Sequence, residues 1–194
     1  MKLLYTKRSP YARKVKVIAI EKGISLEYID EDLQKKSRVL LNANPLGKVP
    51  TLLLDNGQTV FDSPVICQYI DNLNDQKIMI PRFEPKRLEV LKWEAMADDL
   101  TTTAINLYME KIRHPHHFHK DFISTGERNI RLAYSYIEEN LGKLKEFNLA
   151  SIAVASAIGY IHFRLPHLKV EGNLASWFEE ISKTPSMFQT IPVA

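Results

Sequence analysis

The spacing of apolar positions changes character once along the chain, near residue 80. Before that point, short apolar runs alternate with helical spacings. Leu3-Leu4-Tyr5 is a compact run that stops at Thr6-Lys7-Arg8, which predicts a strand. Ser9 and Pro10 follow, at the positions of a helix N-cap and a first helical residue. Val15, Ile18 and Ala19 continue at helical spacing, and Gly23 closes the segment. Leu26 to Ile29 alternates and predicts a second strand, Leu33 to Leu41 predicts a loose helix, and Asn42 to Gly47 has the turn chemistry of a loop. Thr51 to Leu54 and Thr59 to Phe61 predict a hairpin across Asp55-Asn56-Gly57. Asp62-Ser63-Pro64 then opens a helix with Val65, Ile66, Tyr69, Ile70 and Leu73 near its apolar face.

Beyond Pro81 and Pro85 strand signals vanish. Trp93, Ala97, Leu100, Ala104 and Leu107 mark one face of a long helix from Leu88 to Lys111. Phe122 to Lys145 predicts a second, broken near Gly142. Asn148 to Arg164 predicts a third, and Trp177, Phe178 and Ile181 a short last helix ended by Thr184-Pro185. The division expected is an α/β domain over residues 1–78, a linker over 79–85 and an all-helical domain over 86–194. In the first part, strand-helix-strand implies a parallel pair with a right-handed crossover, and the hairpin adds an antiparallel pair. A four-stranded mixed sheet flanked by helices in this order is the thioredoxin-like arrangement.

Composition narrows the class. The chain has 194 residues, 45% hydrophobic and 25% charged, enough to bury a good core. Its single cysteine, Cys67, excludes an intrachain disulfide, and its place among Val65, Ile66 and Ile70 marks it as a small core residue. The opening apolar run is too short for a signal peptide, and Leu149 to Phe163 is short for a membrane span, so a cytoplasmic protein without a membrane anchor is expected. Residues 1–80 hold 12 of the 26 basic residues and 9 of the 23 acidic ones, which puts the whole +3 excess there. That is too little for nucleic acid but suits a small anionic ligand.

Three places in the first part carry candidate chemistry. Ser9 puts a hydroxyl at the positive end of a helix, where a thiolate is stabilised, with Lys7, Arg8, Arg13 and Lys14 nearby. Val49-Pro50 stands at a strand entry, where a cis bond would turn the Val49 backbone outward to pair with an extended peptide. Asp62-Ser63 stands at another helix start, where Ser63 reads as the cap. A hydroxyl and free N–H groups there hold a carboxylate, and Asp62 an ammonium. Each alone is an ordinary cap or loop. Together they describe a site for a short thiol peptide.

SPYARKV at 9–15, NPLGKVPTL at 44–52, FDSPVICQYI at 61–70 and the all-helical second half resemble the glutathione S-transferase superfamily over nearly the whole chain. The nearest resemblance is to small bacterial members with a Ser-Pro-(Tyr/Phe)-x-Arg-Lys motif. The resemblance implies glutathione as co-substrate, a cis Pro50 with the Val49 backbone on the cysteinyl unit, Asp62 and Ser63 on the γ-glutamyl end, and Lys36 (or Lys35) near the glycyl carboxylate. It puts Ser9 in the position that activates the thiol, ahead of Tyr5 and Tyr11. It also implies a homodimer and a pocket for a small hydrophobic electrophile between the domains, with Tyr11, Tyr108, His114 and Phe118 as wall residues. Where the family opens its central helix with a Ser/Thr-x-x-Asp box, Asn148 and Ser151 stand here, a weakened box. Asp98 and Asp99 read as solvated or interface residues. His114, His116, His117 and His119 read as a solvated loop without a defined metal site, Pro115 favouring the loop. Two other readings of the same residues are a glutathione-dependent peroxidase or reductase, and a non-enzymatic partner-binding protein like the stringent starvation proteins.

Overall fold

The computed structural model describes residues 1–114 and 116–193, so Pro115 lies outside the described residues. Four strands, β1 (Lys2–Tyr5), β2 (Glu27–Asp30), β3 (Thr51–Leu53) and β4 (Thr59–Val60), form one sheet in the order β2-β1-β3-β4. β1 and β2 are parallel, while β3 is antiparallel to both β1 and β4. α1 (Pro10–Glu21), α2 (Arg38–Ala43) and α3 (Ser63–Asp71) complete a thioredoxin-like N-terminal domain. An all-helical domain follows: α4 (Lys86–Arg113), α5 (Lys120–Glu139), α6 (Leu149–Arg164), α7 (Gly172–Ser182) and α8 (Pro185–Gln189).

The local signals translate directly. Ser9 adopts extended backbone (φ −76°, ψ 119°) and its Oγ accepts from the Ala12 N–H at 3.1 Å, which satisfies one of the donors a helix start leaves open. Gly23, at φ +64°, takes the left-handed turn after α1 at no steric cost. α6 is apolar all round, and every residue from Leu149 to Ile158 is buried.

Four expectations change. The short helix after β2 lies at Arg38–Ala43, later than the apolar run suggested. Ser37 caps it, accepting from the Leu40 N–H at 3.0 Å, so the helix starts at the cap and not at Leu33. Thr184-Pro185 ends α7 but also starts α8, because a proline's missing N–H costs nothing in a first turn. The box at α6 closes on both arms: Asn148 Oδ1 accepts from the Ala150 N–H at 2.9 Å, and the Ser151 hydroxyl accepts from the Asn148 N–H at 3.1 Å. A serine thus does the reciprocal work of the acid. Asp98 is bound by Lys14 instead of water.

That last contact belongs to the junction between the two halves. α1 is buried nearly all round, so its basic residues are buried too. Lys14 Nζ lies 2.8 Å from Glu94 and 2.8 Å from Asp98, both on α4. Arg13 Nη2 donates to the Met187 carbonyl at 3.0 Å, and its guanidinium lies where a Cβ on Gly159 of α6 would be 2.5 Å away, so the guanidinium lies close over the bare backbone there. Lys22 Nζ lies 3.3 Å from Asp71, whose carboxylate also accepts from the Met79 and Ile80 N–H groups at 2.8 and 3.1 Å. Charges at such depth are tolerated because each is hydrogen-bonded or ion-paired.

Candidate functional site

Strand register brings the three candidate places to one end of the sheet. Leu4 of β1 faces Thr51 of β3, and Leu52 of β3 faces Val60 of β4. The C-terminal end of β1, the N-terminal end of β3 and the C-terminal end of β4 therefore share one edge. From that edge the chain continues to Ser9, arrives from Val49-Pro50, and continues to Asp62-Ser63. Residues some forty to fifty apart in sequence become neighbours because the strands alternate direction.

At this edge several polar groups have no protein partner. The Val49–Pro50 bond is cis, and so is Phe61–Asp62. Among the described residues nothing hydrogen-bonds the Val49 N–H or carbonyl. α3 differs from expectation: Asp62 holds the N-cap position without accepting a cap bond, and Ser63 is the first helical residue, not the cap. The Ser63 hydroxyl makes no hydrogen bond among the described residues although the residue is only 2% exposed. The first turn of α3 thus offers free N–H groups and a hydroxyl, with the exposed Asp62 carboxylate beside them. Ser9 is half-buried. Its Oγ is an acceptor in the cap bond, which leaves its O–H to donate outward.

Electrostatics here are more selective than the sequence implied. Of the four basic residues around Ser9, only Lys7 and Arg8 are exposed. Arg13 and Lys14 are spent inside the junction. Burial opposes the Lys14 charge, but Cys67, Glu94 and Asp98 together outweigh it and push its pKa up to about 12, while burial raises the Cys67 thiol itself. Burial, together with the nearby Asp62 charge, outweighs Lys14 at Glu94 and Asp98 and holds both carboxyls above their ordinary range. A hollow of about 200 Å³ opens beside Ser9, Lys7 and Arg13 under the tail residues 189–193. Lys36 borders another of about 370 Å³, and its side chain packs over Gly47 in the loop leading to Pro50.

The wall residues divide. Tyr11 Oη lies 2.6 Å from Thr102 Oγ1 on α4, and Tyr108 Oη accepts from Arg164 Nη1 at 3.0 Å. Both hydroxyls therefore meet α4–α6 side chains. His114 and Phe118 lie exposed past the end of α4, without a hydrogen bond to Tyr11 or Tyr108 among the described residues. No three His, Cys, Asp or Glu side chains among the described residues gather as metal ligands, and no described helix is long and apolar enough to cross a membrane. Sequence reasoning missed Glu94, Tyr160 and Arg164, and it read Asp98 as a solvated or interface residue. Glu94 and Asp98, like Tyr160 and Arg164, stand one helical turn apart, the one signal that could have paired them.

A thioredoxin-like sheet whose open backbone and hydroxyl groups meet at one edge, backed by an all-helical domain, defines a class of two-domain thiol-peptide proteins. Comparison with known proteins identifies the family within that class. Residues 3–77 match the family model "Glutathione S-transferase, N-terminal domain". The chain is 36% identical to the uncharacterized GST-like protein YibF of Escherichia coli, over 84% of this chain and 83% of that one. A glutathione transferase family member from Pseudomonas fluorescens, solved with bound glutathione, superposes with a TM-score of 0.91 at 34% identity, covering 100% of this chain and 99% of that one. The same family member has been solved with S-(propanoic acid)-glutathione, at a TM-score of 0.88 and full coverage of both chains. The chain belongs to the glutathione S-transferase superfamily.

Proposed function

We propose that the chain binds glutathione at this edge and activates its thiol for attack on a small electrophile held against the helical domain. The observation that carries the reading is the convergence, at one end of the sheet, of the unpaired Val49 backbone, the open first turn of α3 and the Ser9 hydroxyl. The γ-glutamyl carboxylate docks on the Ser63 hydroxyl and the free N–H groups of α3, and Asp62 takes the ammonium. The Val49 N–H and carbonyl pair with the cysteinyl unit as an added strand does. Lys36 stands toward the glycyl end. That a 34% identical Pseudomonas protein is solved with bound glutathione supports glutathione as the ligand.

Catalysis follows from the thiol. Free, with a pKa near 8.5, it is only about 3% ionised at pH 7. A hydrogen bond from the Ser9 hydroxyl and the positive end of α1 stabilise the thiolate and lower that pKa. The thiol proton passes to water, a sulfur–carbon bond forms at the electrophile, and the leaving group departs with its bonding electron pair.

The test is a titration of the bound thiol by its thiolate ultraviolet absorbance, beside conjugation of 1-chloro-2,4-dinitrobenzene. In Ser9→Ala the thiol pKa rises by about one to two units, the loss of one hydrogen bond to a charged group, and turnover at neutral pH falls about tenfold or more. An unchanged thiol pKa and rate in Ser9→Ala would leave Ser9 a helix cap and nothing else.

A further inference from the structure

The expected electrophile was hydrophobic, yet the helical domain carries a half-buried cation with no carboxylate partner among the described residues. Arg164 lies in the last turn of α6, where the negative end of the helix favours positive charge. Its guanidinium is stacked 4.6 Å from the Tyr108 ring and 4.2 Å from that of Phe163. Nη1 donates to Tyr108 Oη at 3.0 Å. Nε is shut off from solvent with no acceptor, whereas Nη2 has none among the described residues and is not shut off. No ion pair among the described residues includes Arg164. Lys14 and Lys22, by contrast, both have buried carboxylate partners. A half-buried guanidinium against two aromatic rings, with donors left over, has the form of an anion receptor awaiting its acceptor.

The receptor is connected to the thiol side. Arg13, one turn past Ser9, lies against Gly159, and Tyr160 is the next residue of α6. The Tyr160 phenol is raised by burial and feels Arg164, Tyr108 and Tyr11 together. Tyr11, two residues past Ser9, reaches Thr102 on α4. The line from Ser9 through Tyr11 to Tyr160, Tyr108 and Arg164 follows the seam between α1, α4 and α6.

We propose that the preferred electrophile carries a carboxylate, which Arg164 and the Tyr108 hydroxyl receive while its reactive carbon faces the glutathione sulfur. The proposal rests on the glutathione-binding reading and adds the substrate class. It makes the electrophile pocket a charge-selective one, with the two rings holding the guanidinium in a fixed orientation.

Calorimetric titration separates the two ideas without requiring turnover. Three ligands are compared on the wild type: glutathione, S-(2-carboxyethyl)glutathione and its neutral counterpart S-(2-carbamoylethyl)glutathione. The carboxylate conjugate binds about ten- to a hundredfold more tightly than the amide, the span of one charge-assisted hydrogen bond. In Arg164→Gln that preference disappears, and Arg164→Lys, which keeps the charge but loses the fork, restores part of it. Equal affinity for acid and amide in a wild type that binds glutathione overturns the carboxylate receptor and leaves the glutathione site standing. Absence of binding by all three ligands overturns both. A drop for acid and amide alike in both Arg164 variants reduces Arg164 to a packing residue and also overturns the proposal.

Discussion

The sheet end of the N-terminal domain and the helical domain are built on opposite plans. The sheet side presents main-chain groups and serine hydroxyls: Val49, the first turn of α3, and Ser9 at the start of α1. The helical side gathers long side chains, the half-buried Tyr108 and Arg164 with the buried Tyr160 nearby. Backbone groups are fixed by fold geometry and cannot be replaced without moving the chain, so they suit a constant ligand such as a peptide. Side chains on helix faces change one at a time, so they suit the part of the reaction that differs between relatives. Between the two plans lies a seam of buried ions, Lys14 with Glu94 and Asp98, that fixes how one side faces the other.

Breaking that seam has the largest expected effect. Lys14→Met leaves the buried Glu94 carboxylate and the half-buried Asp98 carboxylate without their cation and costs about 3–5 kcal/mol. At about 2–4 °C per kcal/mol for a chain of this size, calorimetry shows a melting temperature lower by roughly 10 °C. The same ion gives a pH signature. Because the Lys14 pKa is raised in the fold from 10.5 to about 12, its stabilising contribution is complete below 10.5 and is lost as pH rises toward 12. Denaturant midpoints measured across that window fall in the wild type, and this component is missing in Lys14→Met.

A smaller change separates the two sides. Ser63→Ala removes one hydroxyl from the sheet side and weakens glutathione binding about ten- to a hundredfold, leaving the Michaelis constant for the electrophile unchanged. If both constants move together, the division of labour between backbone and side-chain walls does not hold.

The smallest effect falls away from the site. Ser151→Ala opens one arm of the box at α6 and costs about 1 kcal/mol in thermal unfolding, with glutathione affinity unchanged. A loss much nearer zero would mean that the serine arm adds nothing to the Asn148 cap.

The same contrast explains what the sequence disclosed. The sheet side was legible because each piece is a short contiguous signal, Ser9-Pro10, Val49-Pro50 and Asp62-Ser63-Pro64, and hairpin and crossover rules bring such pieces to one edge. Even there the cap at α3 was misassigned by one residue, since Asp and Ser are equally good caps and only backbone angles decide. The helical side was legible only through the resemblance, which named Tyr11 and Tyr108 but not Arg164. Tyr11, Tyr108 and Arg164 are separated by a hundred and fifty residues, and no local pattern says which faces of α1, α4 and α6 will meet. Lys14 counts among the charges near Ser9 in the sequence, and only the burial of α1 on nearly every side shows that its charge is turned into the junction instead.

The central claim is that the sheet edge is a glutathione site, and the most direct measurement is calorimetric titration of the purified full chain with reduced glutathione at neutral pH. The account predicts saturable binding at one site per chain, with a dissociation constant in the micromolar to low millimolar range. No heat of binding from a folded protein at high millimolar glutathione would contradict it.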